Sequence, residues 1–85
     1  MQAEHSLFDL LILSLGNATL IALGLVPSPD ANNIQKDLES ARYNIELLEM
    51  LKQKTNGNLT STESSLLTDL LYDLQLKFVE AKKQS

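Results

Sequence analysis

Between Leu7 and Val26 (LFDLLILSLGNATLIALGLV) the chain carries a single charged residue, Asp9. Its aliphatic side chains point in every direction around a helix. A helix with one dry stripe hides it against one neighbour, but a helix that is apolar all round must be covered on more than one side. This stretch constrains everything that the other residues can build.

Ser6 followed by Asp9 is a helix-start pattern: the hydroxyl caps a free amide and the carboxylate sits in the positive first turn. The helix is expected over about 7–23, with Gly24 as its left-handed stop and Pro27 and Pro29 blocking continuation. At about 100° per residue, Leu7, Leu11, Ser14, Ala18, Ala22 and Leu25 share a face whose middle is small, so another helix can approach closely there. The other side carries Asp9 and Gly16 beside Ile12, Leu13, Leu20 and Leu23. Leaving those four aliphatic residues wet forfeits roughly 6–12 kcal/mol, comparable to the whole stability of a small domain, about 5–15 kcal/mol. A helical hairpin covers one face of this helix, and a second surface is required for the other.

That second surface has to be another molecule, because 85 residues form one small domain with little core to spare. There are no cysteines to supply a disulfide or a thiolate zinc site. Eleven acidic residues against seven basic ones, with Arg42 the single arginine, give a surface that repels phosphate backbones, so no nucleic-acid partner is expected. The opening MQAEH has no basic n-region, so a secretion signal is not expected and the reading is cytoplasmic. The Asn-x-Thr triplets at Asn17 and Asn58 are then chance matches rather than glycosylation sites.

Residues 24–36 form a polar, proline-bearing connection, long enough to let helix 1 cross its neighbours or exchange between subunits. Helix 2 is expected over about 37–55 with Asp37 as its cap, Asn33 being an alternative start. Ile34, Leu38, Ala41, Ile45 and Leu48 form a narrow seam, which Tyr43, Leu47, Met50 and Leu51 widen. Thr55-Asn56-Gly57-Asn58 stops helix 2, and Thr60 with Glu63 is a capping box that starts helix 3, expected over about 61–81. So short a connection forces an antiparallel hairpin. Leu67, Leu71, Leu74, Phe78 and Ala81 repeat the seam, Leu66, Leu70, Leu76 and Val79 lie outside it so that helix 3 is also broadly apolar, and the lysines of the tail suit the negative helix end.

The hairpin residues Asp37-Leu38, Ala41-Arg42, Ile45, Leu48, Met50-Leu51, Lys54-Thr55, Gly57-Asn58-Leu59-Thr60, Glu63, Leu66-Leu67 and Leu70 to Leu74 carry a resemblance. Ser14-Leu15, Leu20 to Gly24, Pro27 and Pro29 extend it upstream. The chain resembles a bacterial family of small proteins known as a domain of unknown function, number eighteen forty-four. The Lys54–Thr60 block is the most specific part. The resemblance implies a small helical bacterial protein and brings no activity with it. Gly16 to Thr19 depart from its usual Ala-Thr-Gln-Ala-like stretch, Thr62 and Ser64 stand where the family tends to be acidic, and Gln75 stands where it is often basic.

Candidate chemistry is thin. His5, Ser6 and Asp9 are the residue types of a hydrolytic triad, but they sit at a helix start without an oxyanion hole and read as a cap. Asp69 and Asp73 share a face as paired carboxylates would, yet Lys77 one turn on makes an Asp73–Lys77 ion pair the simpler reading. Glu39, Arg42, Glu46, Glu49 and Lys52 read as the solvated face of helix 2. With one histidine and no Asp-rich loop, no catalytic residue, cofactor or metal is expected. Lys54, Thr55, Asn58, Tyr72 and Asp73 are the polar set that a partner or ligand would use, although turn and cap roles account for Asn58 and Lys54.

The fold class expected is therefore all-α: three helices, a helix 2–helix 3 hairpin with the apolar helix 1 crossing it, completed by oligomerisation. The oligomer interface is placed on Leu11, Ser14, Leu15, Ala18 and Ala22, where Ala18→Leu or Ala18→Trp should disrupt the packing. The function expected is a non-enzymatic homo-oligomeric (dimer or tetramer) interaction or assembly module. The alternatives are a small membrane-associated protein anchored through helix 1, and a docking face for an unidentified protein. Asp9 and Asn17 within the stretch disfavour spanning, and the absence of Lys or Arg on the helix disfavours lying flat on lipid.

Overall fold

The computed structural model describes residues 6–27 and 36–84. Three helices make up the order, α1 (Leu7–Ala22), α2 (Leu38–Lys54) and α3 (Ser61–Lys83), and no strand occurs among the described residues. His5 and Ile34, and the alternative helix start at Asn33, lie outside the described residues; α2 itself takes Asp37 as its N-cap.

Each helix begins where its local chemistry says it should. The Ser6 hydroxyl accepts from the Asp9 amide at 3.0 Å while the Asp9 carboxylate accepts from the Ser6 amide at 3.2 Å, a reciprocal capping box. Thr60 and Glu63 repeat it on α3 at 3.1 and 3.0 Å. Asp37 accepts from the amide of Ser40 at 3.1 Å and from its hydroxyl at 2.8 Å.

The helix ends are equally local. After α1, the Gly24 amide donates to Ile21 O and the Leu25 amide to Leu20 O, both at 3.0 Å, with Gly24 at φ +80°. This paired reversal needs a left-handed residue, which glycine supplies without steric cost. Between α2 and α3 the Asn58 amide donates to Thr55 O at 2.8 Å and Gly57 takes φ +87° at the third turn position. Helix α3 continues to Lys83, two residues beyond the expected end. Nothing in Lys82-Lys83 breaks a helix, both charges favour its C-terminus, and Lys82 Nζ lies 5.8 Å from the Phe78 ring centroid.

The three helices pack on one another. Ile12 of α1, Ile45 and Leu48 of α2, and Leu67, Leu71 and Leu74 of α3 form the main core, with Phe8, Leu15, Leu20 and Leu70 among the side chains packed around it. Ala22, Leu23, Ala41 and Ala81 form a second, small-residue cluster where the ends of α1 and α3 meet the start of α2. The Asp37 amide donates to Ala22 O at 2.7 Å, so the connection returns the chain to the point where α1 ended. α1 therefore runs antiparallel to α2 and alongside α3.

The face that α1 turns inward corrects the balance of burial. Ile12 and Leu23 are fully buried and Leu20 packs half-buried against the main core, so the hairpin of the same chain covers three of the four aliphatic residues on which the need for a second molecule was argued, and Leu13 is half-buried. The close approach comes from Gly16: a Cβ there would stand 3.0 Å from Leu70 Cδ1. Thr19 is also fully buried, its hydroxyl satisfied by Leu15 O of its own helix at 2.7 Å. One more correction concerns the seam of α2: Tyr43 and Met50 do not widen it but face outward. Leu76 and Val79, outside the seam of α3, are exposed as well.

Candidate interaction surface

What the hairpin leaves uncovered is the small-centred face of α1. Leu7 is 85% exposed, Leu10 52% and Leu11 46%, with Ser14 and Ala18 exposed further along the helix. Asp9, the only charged residue from Ser6 to Pro27, is buried on the other side. The outward face of α1 thus presents aliphatic side chains and no charge. Of the five expected interface residues, Leu11, Ser14 and Ala18 lie on it. Leu15 is half-buried against the main core, and Ala22 is taken up by the second cluster, because both lie on the side of α1 that the hairpin occupies.

The polar group at the hairpin turn is dispersed. Thr55 donates through its hydroxyl to Leu51 O at 2.6 Å and lines an open groove of about 590 Å³ whose floor is Leu67 and Leu71. Asp73 lines a different groove, about 480 Å³ in volume, between the ends of α1 and α3 beside Leu25 and Leu76. Asp73 is paired with Lys77 at 2.7 Å, as the spacing indicated. Lys54 and Asn58 are exposed at the turn, and Tyr72 stands 65% exposed on the outer side of α3. Thr55 and Asp73 therefore serve separate grooves and do not converge on one ligand. The exposed Arg42–Glu46 pair, 3.0 Å apart, is a further solvated i,i+4 contact.

The triad reading loses its nucleophile to capping, since the Ser6 hydroxyl is committed to the Asp9 amide. Among the described residues no three His, Cys, Asp or Glu side chains gather as metal ligands.

The Ser6 hydroxyl has a second role that the sequence did not reveal. It holds the Glu63 carboxyl below its ordinary value of 4.5, with the Thr60 amide adding to the effect. The Ser40 hydroxyl, and then its amide, likewise lower Asp37 from 3.8. A carboxylate depressed in the folded state stabilises the fold above its unfolded value, and that contribution is lost as pH falls through the folded value. Acidification below pH 4.5 and then 3.8 should therefore lower the melting temperature of the native chain more than that of a Glu63→Gln/Asp37→Asn variant. Parallel melting curves for the two would disprove the link.

The sequence profile of a family described as "Domain of unknown function (DUF1844)" matches residues 5–80. The chain belongs to this family. Nothing among curated proteins or solved structures matches it. The DUF1844 residues that carry the resemblance have structural work in the fold. Ala41, Ile45, Leu48, Leu67, Leu71 and Leu74 are buried, Asp37, Thr60 and Glu63 are caps, and Gly57 makes the turn. Gln75 donates to Glu49 at 2.8 Å and so joins α3 to α2. A lysine or arginine there would meet the same carboxylate as an ion pair within the chain.

Proposed function

We propose that this DUF1844 chain is a non-enzymatic, homo-oligomeric interaction module whose subunits associate through the outer face of α1. The observation that supports this is the exposure of Leu7, Leu10 and Leu11 beside Ser14 and Ala18 on a face without charge. A contiguous uncharged apolar helix face is a common mark of an association surface, and a second copy presents the same small-centred face, which suits a two-fold contact.

Light scattering coupled to size exclusion, on protein purified without detergent and run over a range of concentrations, tests the proposal. A dimer or tetramer is expected. Leu11→Lys and Ala18→Lys should convert it to a monomer with unchanged helicity, because both side chains are exposed in the single chain. A wild-type monomer at every concentration would overturn the proposal.

The competing reading is attachment to a membrane through helix 1. No helix among the described residues is long and apolar enough to cross a membrane, which leaves surface attachment. Co-sedimentation of the wild type with lipid vesicles, abolished by Leu11→Lys, would favour that reading over self-association.

A further inference from the structure

We propose that Asn56 is a modification site: the Gly57 backbone nitrogen attacks its side chain and converts the hairpin turn to aspartate and isoaspartate. The sequence contains six asparagines, at 17, 32, 33, 44, 56 and 58, and only Asn56 precedes a glycine. Without a Cβ on the following residue, the main-chain nitrogen has unhindered access to the Asn Cγ. Here the fold keeps that access. Asn56 and Gly57 are both exposed, a Cβ built on Gly57 meets nothing within 4 Å, and among the described residues no acceptor takes the Gly57 amide hydrogen.

The other described asparagines are protected. Asn17 and Asn44 lie inside α1 and α2, where the amides of Ala18 and Ile45 are committed to the helical hydrogen-bond ladder. Asn58 precedes Leu59, whose half-buried side chain shields the nitrogen that would attack.

The chemistry balances with water alone. Solvent base removes the Gly57 amide proton, the nitrogen forms a bond to Asn56 Cγ, and the side-chain nitrogen leaves as ammonia. Water then opens the resulting five-membered imide. Breaking the bond from the imide nitrogen to Cγ leaves a normal aspartate. Breaking the bond to the main-chain carbonyl carbon leaves isoaspartate, with an extra methylene in the backbone. Either product places a carboxylate at the C-terminal end of α2, where the helix dipole disfavours it, although Lys52 and Lys54 stand in that last turn. The isoaspartate also lengthens the turn that holds the Asn58 amide on Thr55 O.

The test is to age the purified full chain at mildly alkaline pH, natively and unfolded in urea, and to locate isoaspartate by peptide mapping with fragmentation. The expected result is a gain of ~1 Da confined to position 56, with a native rate within roughly tenfold of the unfolded rate, as an unprotected turn gives. Asn56→Gln should lose the signal and Asn58→Gln should keep it. A native rate more than about tenfold below the unfolded one would show that the fold shields Gly57 and would overturn the proposal. Modification spread over Asn58, Asn44 or Asn17 would overturn it as well.

Discussion

Leu48→Ala is expected to destabilise the chain by about 2–5 kcal/mol, the range for emptying a fully packed aliphatic position. Leu48 has no exposed surface and lies in the main core with Ile12 of α1 and Leu67, Leu71 and Leu74 of α3. Truncating it leaves a cavity in the core that all three helices share. For a domain of 60–100 residues such a loss lowers the melting temperature by roughly 8–40 °C. Met50→Ala on the same helix is the control, since Met50 is 40% exposed and should cost less than about 1 kcal/mol. Thermal melts followed by circular dichroism at 222 nm distinguish the two. Equal shifts would mean that the seam through Ala41, Ile45 and Leu48 does not point at the core.

The second large effect belongs to Gly16. An alanine Cβ there meets Leu70 Cδ1 at 3.0 Å and Cδ2 at 3.2 Å, the mobile end of one side chain. Gly16→Ala gains about 1 kcal/mol of helix propensity and spends it displacing Leu70, so its net effect is expected near zero. Gly16→Leu has no such escape. Its side chain would enter the α1–α3 contact, lift α1 from the hairpin and expose Ile12, Thr19 and Leu23, costing about 3 kcal/mol or more. Chemical denaturation of the single variants and of Gly16→Ala/Leu70→Ala isolates the contact. With Leu70 truncated, Gly16→Ala should become stabilising by about 1 kcal/mol relative to Leu70→Ala alone. A Gly16→Leu protein as stable as wild type would place α1 elsewhere.

The helices and their ends were legible in the chain because their causes are local. Ser6 with Asp9 and Thr60 with Glu63 satisfy amides three residues away, and Gly24 and Gly57 adopt the positive φ that few other residues accept. The four-three spacing of Ala41, Ile45 and Leu48, and of Leu67, Leu71 and Leu74, required only that a helix be buried on one side. The candidate polar set was less legible. Thr55 and Asp73 belong to one hairpin, but α3 carries Asp73 more than three turns beyond its start, where it borders a different groove.

The orientation of α1 was not written in its own pattern. A helix apolar all round has no preferred face by hydropathy alone, and the pattern offered Leu7, Leu11 and Ala18 as readily as Ile12, Gly16 and Thr19. The tertiary contact chose the second set. Gly16 leaves room for the Leu70 side chain, and the Thr19 hydroxyl can be buried because Leu15 O of the same helix accepts its hydrogen. By itself, then, the sequence determined three capped helices, their hairpin and the surplus of apolar surface on the first. Only the tertiary structure decided which part of that surplus the chain buries and which part it turns outward, because that choice depends on shape complementarity with the α2–α3 hairpin, and no periodicity within α1 encodes it.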